Sequence, residues 1–220
     1  MSTSDSEQVT TDQPAKEELL AFDARRFDTD RLQFDGLRGD SRLHLDRQQL
    51  EAAITTLAPA PTEEGVVDLL VARGPNGERV LPSSALLTVD GGMPGDRWVH
   101  DDLYGPDYQL ATTRTDFARV IGNGQDLSLH GDNLFLTLDV SNANLPVGSV
   151  LQLGGARVCV TPIAHNGCKK WAQRFGLAAM QLNLAWTKRG EHVRGIYLRV
   201  IEDGLVRVGD TVRVVTRGVV

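Results

Sequence analysis

The sequence predicts a mainly β protein: a closed antiparallel β-barrel with a few peripheral helices. Two observations carry this. Short runs of strand-forming residues recur at 109–114, 133–140, 150–153, 157–162, 195–201 and 211–216, with Gly, Asn and Asp turns between them, as in closed or strongly coiled antiparallel sheets. Helical periodicity interrupts the pattern only at about 116–121 and within 169–187. A β-sandwich uses the same elements and is the competing architecture.

The elements follow in order. Residues 1–14 lack apolar periodicity and read as a disordered tail. Residues 15–30 allow a short helix with few apolar residues. A firmer helix is expected from Asp46, a suitable N-cap, to Leu57, because Leu50, Ile54 and Leu57 share one face. "APAPTEEG" stops it, since proline cannot continue a helix. From Val66, "VVDLLVARGPNGERVL" sets two apolar runs around a Gly-Pro-Asn-Gly turn, a hairpin signal. "VRGIYLRVIEDGLVRVGDTVRV" reads as strand, turn at Asp203-Gly204 and strand, closing the barrel. This divides the chain into an acidic, partly disordered extension at 1–45, a helical lead-in at 46–65 and a barrel at 66–220.

At 220 residues and 41% hydrophobic, the chain suits one domain with an extension. No run approaches the roughly 18 apolar residues that cross a bilayer, so no membrane association is expected. The polar N-terminus lacks the layout of a secretory signal, and residence in the cytoplasm is expected. There its two cysteines, too few for a disulfide framework, stay thiols. A net charge of -6 argues against nucleic acid as a partner. The balance is uneven: residues 1–155 hold 12 Lys and Arg against 25 Asp and Glu, and residues 156–220 hold 11 against 4. The basic stretch suits an anion site such as one for phosphate; equally, the two regions neutralise each other across the fold.

Cys159, inside the strand-like "ARVCVTP", is expected to pack as a small core hydrophobe. Cys168 differs. "HNGC" is a turn signal, and "CKKWAQRFG" reads as a helix with Trp171 and Phe175 on one face and Gly176 as its stop. A sulfur at the start of that helix, beside Lys169 and Lys170, meets positive potential that favours the thiolate, the form that attacks electrophiles and binds metals. The plain alternative is two solvated lysines opening a helix. His165 and Cys168 have the spacing of a zinc half-site, but no second pair of ligands is evident for structural zinc. A thiol hydrolase with His165 as partner is the other possibility, though such partners usually come from separate parts of a chain. The turns "LHGDN", with His130, Asp132 and Asn133, and "GMPGDRW" are ordinary hairpin turns or loops offering N–H groups to an anion.

In order, "GMPGDRW", "QLATTR", "LHGDNLFL", "PVGSVLQLGGARVCVTPIAHNGCKK" and "VRGIYLRVIEDGLVRVGD" resemble the MOSC domain, the module named for the C-terminal part of molybdenum-cofactor sulfurases. The lead-in "RLHLDRQQLEAAITTLAPAPTEEGVVDLLVAR" resembles that of small stand-alone bacterial members. The resemblance implies a barrel of the kind compared with the pyruvate kinase barrel domain, and one functional cysteine, whose place Cys168 occupies. In relatives such as the mitochondrial amidoxime-reducing component and bacterial hydroxylaminopurine-detoxifying proteins, that sulfur is held to ligate molybdenum of a pterin cofactor. In the sulfurases it was proposed to carry a persulfide. Pyridoxal phosphate belongs to the sulfurases' separate desulfurase domain and is not expected here. "HNGC" departs from relatives with proline or a small polar residue just before the cysteine.

The resemblance thus implies an oxidoreductase that reduces N-hydroxylated small molecules, with Cys168 on molybdenum; a sulfur carrier and a non-catalytic cofactor-binding module are the alternatives. Arg194, Arg114 and Lys170 are candidates for the pterin phosphate, and Thr112 and Asn133 for pterin hydrogen bonds. His165 is expected to orient substrate or shuttle a proton near neutral pH. The chain has no ferredoxin-like cysteine set, so electrons would come from a separate donor protein.

Overall fold

Short strands joined by Gly, Asn and Asp turns, the barrel signal in the sequence, are what build the molecule. The computed structural model describes residues 37–75, 77–101 and 104–219. The tail expected at 1–14 and the helix expected at 15–30 lie outside the described residues.

The strands are β1 (Glu64–Leu70), β2 (Ala72–Arg73), β3 (Arg79–Val80), β4 (Ser84–Leu87), β5 (Leu110–Arg114), β6 (Leu134–Leu136), β7 (Val150–Leu153), β8 (Ala156–Val160), β9 (Ile196–Glu202), β10 (Gly204–Arg207) and β11 (Thr211–Thr216). The helices are α1 (Arg47–Thr55), α2 (Thr115–Gly122), α3 (Lys169–Phe175) and α4 (Leu177–Thr187). Among the described residues, seven strands close a barrel in the order β1-β11-β7-β8-β9-β5-β6. In β8, Ala156, Val158 and Val160 face the core and Arg157 faces out. A register shift between Val67 and Leu69 of β1 re-aims the strand, so both Val67 and Leu70 are buried.

The barrel is not wholly antiparallel: β5 and β6 pair in parallel. A parallel pair needs a crossover, and α2 with the turn at Leu127–His130 provides it. The GPNGE turn does join an antiparallel pair, β2 with β3, but the longer run before it, β1, pairs with β11 and β6 instead. Likewise β10 pairs with β4 rather than folding back on β9. Cys159 is half-buried, not in the core, because the β8 register turns it to the outer face beside Arg157.

A second apolar cluster caps one side of the barrel. Leu50 and Ile54 of α1 meet Phe117 and Ile121 of α2, Trp171 and Phe175 of α3, and Met180 and Leu182 of α4. Asp46 caps α1 as expected, in a reciprocal box with Gln49. Among the described residues no helix is long and apolar enough to cross a membrane.

Candidate functional site

The 164–168 loop is held by residues far from it in sequence. Asn183 of α4 is fully buried; its Nδ2 donates to the carbonyl of Asn166 at 3.0 Å, and its Oδ1 accepts from the Arg194 N–H at 3.0 Å. One amide thus ties the loop to the segment entering β9. Gly167 has φ +78, and a Cβ there would stand 3.3 Å from Met180 and Trp171, so the turn before Cys168 needs glycine. Gly195 has φ +104, and a Cβ would overlap the Thr112 carbonyl, which lets the chain around Arg194 run close to β5.

Cys168 emerges as the exposed N-cap of α3. It stands on a cavity of about 790 Å³. Lys170, Arg174 and Arg194 line this cavity, and so do Arg73 and Arg79 of the β2–β3 ribbon and Arg97. The cations therefore come from both halves of the chain, not only from the basic C-terminal stretch. With α3 only seven residues long, the positive character of the site rests on these side chains more than on a helix dipole. Trp98, Tyr104, Tyr108 and Tyr197 line it as well. Tyr108 sits 4.9 Å from Tyr104 and 5.3 Å from Tyr197, and Tyr197 sits 4.4 Å from His165, a chain of rings into the site.

The crowding has electrostatic consequences. Burial and the neighbouring charges of Arg174, Arg97 and Arg73 pull the Arg79 guanidinium down to about 10. Burial also lowers Arg174, while the nearby Cys168 sulfur acts in the opposite direction. Arg174 donates to the carbonyls of Leu37 and Leu129 at 2.9 and 2.8 Å. A clustered set of cations with few carboxylates is a natural seat for a multiply charged anion.

Arg194 is itself buried. It forms an ion pair with Asp132, donates to the His130 carbonyl at 2.9 Å, and lies over the Trp171 ring at 5.2 Å. Burial pushes the Asp132 carboxyl up, against the pull of Arg194. His165 is buried as well, with Nδ1 3.7 Å from Asp132 Oδ1. Burial first, then Arg194 and Arg73, hold the His165 imidazole well below 6.5. The ring is therefore neutral near pH 7 rather than poised to titrate there, because a cation would be desolvated among arginines.

Of the residues singled out from the sequence, Cys168, His165, Lys170 and Arg194 line this one cavity. Thr112, Arg114 and Asn133 do not. Thr112 is buried in β5 between β6 and β9. Arg114 pairs with Asp116 and lies 3.9 Å over the Phe117 ring. Asn133 accepts from the Ala111 N–H at 3.0 Å and donates to the Val71 carbonyl and to Asp96, at 3.1 and 2.7 Å. Sequence reasoning missed Arg73, Arg79 and Asn183; it had Asp132 and Arg97 only within turns open to an anion, and Arg174 only within the basic stretch. Asn183 had a signal: it is the polar residue inside "LAAMQLNLAW", an otherwise apolar helix.

Residues 110–213 match the family model of the MOSC domain. Among solved structures the chain is similar to the crystal structure of a hypothetical protein, at 18% identity over 70% of each chain with a TM-score of 0.53. It is also similar to YiiM from Geobacillus stearothermophilus, at 16% identity over 70% of this chain and 77% of that one with a TM-score of 0.52. At such identities the likeness is one of fold. No curated protein matches the chain. The stretch from β5 into β11 of this closed seven-strand barrel thus matches a MOSC domain, over residues 110–213 of the 220.

Proposed function

We propose that this chain binds a molybdenum–pterin cofactor and acts as an oxidoreductase on N-hydroxylated compounds. MOSC domains are associated with molybdenum-cofactor enzymes. The observation that carries the reading is the exposed Cys168 on a cavity of about 790 Å³ walled by six cationic side chains. Thiolate is a soft donor suited to such a metal, and guanidinium groups match phosphate oxygens in twos. The Arg194 Nε, buried without a hydrogen-bond partner, adds an unused donor beside the cavity. The residues present thus fit the group.

In this reading Cys168 holds the metal, and Arg79, Arg97, Lys170 and Arg174 hold the phosphate. The bound cofactor supplies a two-electron redox couple. The overall change is R–NH–OH + 2 e⁻ + 2 H⁺ → R–NH₂ + H₂O, with the N–O bond broken and electrons delivered by a separate donor protein. The aromatic wall of Trp98, Tyr104 and Tyr108 gives the substrate an apolar face to lie on and limits water at the site. The neutral His165 contributes a hydrogen bond rather than a charge.

The test is turnover. Cofactor-loaded protein with an electron-donor system should convert a hydroxylamine or amidoxime to its amine or amidine mole for mole, and Cys168→Ala should not. Loaded protein inert toward every such substrate would reduce the assignment to a cofactor-binding module. The same exposed thiol would serve a sulfur carrier, and protein bearing a reducible extra sulfur on Cys168 with no pterin would assign that role instead.

A further inference from the structure

Among the described residues, four buried side-chain polar atoms lack a hydrogen-bond partner, and three sit in one cluster: Asp132 Oδ1, His165 Nδ1 and Arg194 Nε. Buried polar atoms are nearly always paired, so such a cluster calls for an explanation. Asp132 is fully buried, with its Oδ2 on the Arg194 guanidinium. Its Oδ1 and the His165 Nδ1 face each other at 3.7 Å, sealed from water, and a small inward shift makes them a hydrogen bond.

Which atom carries the shared proton follows from charge. Burial raises the Asp132 carboxyl, but the guanidinium paired to Oδ2 favours its carboxylate form, and a carboxylate only accepts. The proton therefore sits on His165 Nδ1. A protonated Asp132 would instead donate to Nδ1 and reverse the arrangement. Because the ring is neutral, its Nε2 then holds a lone pair. His165 lines the cavity while its Nδ1 is turned to Asp132, so Nε2 is the ring nitrogen left for a ligand.

We propose that Asp132 is a positioning residue: it fixes His165 as the Nδ1–H tautomer, so that Nε2 offers the cavity a hydrogen-bond acceptor and selects ligands that present an N–H or O–H there. Only the identity of that donor, the N–H or O–H of an N-hydroxylated substrate, rests on the proposed function. A ligand presenting only acceptors to that point, such as an N-oxide, meets lone pair against lone pair.

The structure contains its own reference. His130 Nε2 lies 3.0 Å from the Ala118 carbonyl and must donate, while its Nδ1 accepts from Trp171 Nε1 at 3.3 Å. His130 is thus the opposite tautomer, Nε2–H. Long-range ¹H–¹⁵N correlation spectra of ¹⁵N-histidine-labelled, cofactor-free protein near pH 7.5 read both rings at once, with His165→Gln assigning the signal. The expected result is Nδ1–H for His165 and Nε2–H for His130.

In the nearly isosteric Asp132→Asn, Arg194 claims the amide oxygen and the NH₂ group faces Nδ1, so His165 should switch to Nε2–H. The same exchange beside a catalytic histidine is known to impose the wrong tautomer. Wild-type His165 found as Nε2–H or as imidazolium overturns the proposal, and so does a folded Asp132→Asn that leaves Nδ1–H in place. Should that variant not fold, the wild-type spectrum alone decides. Neither metal nor substrate enters the measurement, so its failure and that of the molybdenum reading are told apart.

Discussion

Arg73 grips both carboxylate oxygens of Asp96, Nε to Oδ2 at 2.8 Å and Nη2 to Oδ1 at 2.9 Å, with little of either side chain exposed. Burial opposes both charges, but these bonds outweigh it, raising Arg73 and holding the Asp96 carboxyl below its usual value. The same carboxylate accepts from the Trp98 N–H and from Asn133. One buried pair therefore joins the β2–β3 ribbon to the 96–98 turn, both of which wall the cavity. Asp96→Ala would leave a buried guanidinium without its counter-charge and should cost about 3–5 kcal/mol. Urea denaturation reads this directly; a loss below about 1 kcal/mol would make the pair incidental to the fold.

Stability should fall as the solution is acidified below about pH 6.5. Burial holds the folded His130 and His165 well below 6.5, whereas the unfolded chain titrates near that value. Above 6.5 neither state binds a proton at these rings, and their stabilisation is fully present. Below it the unfolded chain gains protons that the folded one refuses. Each histidine then removes up to about 1.4 kcal/mol per pH unit. His192, lowered by burial too, acts in the same direction. Urea midpoints between pH 7.5 and 5.5 should show the decline, and His165→Gln should flatten it by one histidine's share. A midpoint flat across that range contradicts the prediction.

The two thiols should react at different rates. Cys168 is exposed on the cavity, while Cys159 is half-buried with its Sγ 3.6 Å from the Val160 carbonyl. Limited alkylation followed by peptide mass spectrometry should find Cys168 modified about tenfold faster or more. Faster modification of Cys159 would mean that the 164–168 loop closes over the site.

The cation cluster should bind a polyanion even without the cofactor. Inorganic pyrophosphate at about ten times its dissociation constant should stabilise the folded chain by about 1.4 kcal/mol, seen as a rise in melting temperature. Arg79→Gln should lose most of this rise while leaving the Cys168 thiol in place. An unchanged pyrophosphate response in that variant would place anion binding elsewhere.

Local signals in the sequence were enough for the barrel strands and for Cys168. The strand-forming runs at β7, β8 and β11 with turns between them, and the Asn-Gly turn before Cys168, depend on neighbours only a few residues away. What depends on long-range pairing was not legible. The parallel β5–β6 pair and the β10–β4 pair reflect a crossover and a remote partner. Arg73, Arg79 and Arg97 sit in the acidic half of the chain, and only the fold brings them to Cys168. Asn133 and Asp132 show the limit most sharply. Both belong to one turn motif, yet Asn133 stitches backbone together while its neighbour stands behind His165.

The account turns on Cys168 as a cofactor ligand, and molybdenum content tests it most directly. Protein purified from a cofactor-competent host should carry close to one molybdenum and one pterin per chain. Cys168→Ala, melting at an unchanged temperature, should carry almost no molybdenum. Wild-type protein without molybdenum, or a full complement in Cys168→Ala, would contradict the account.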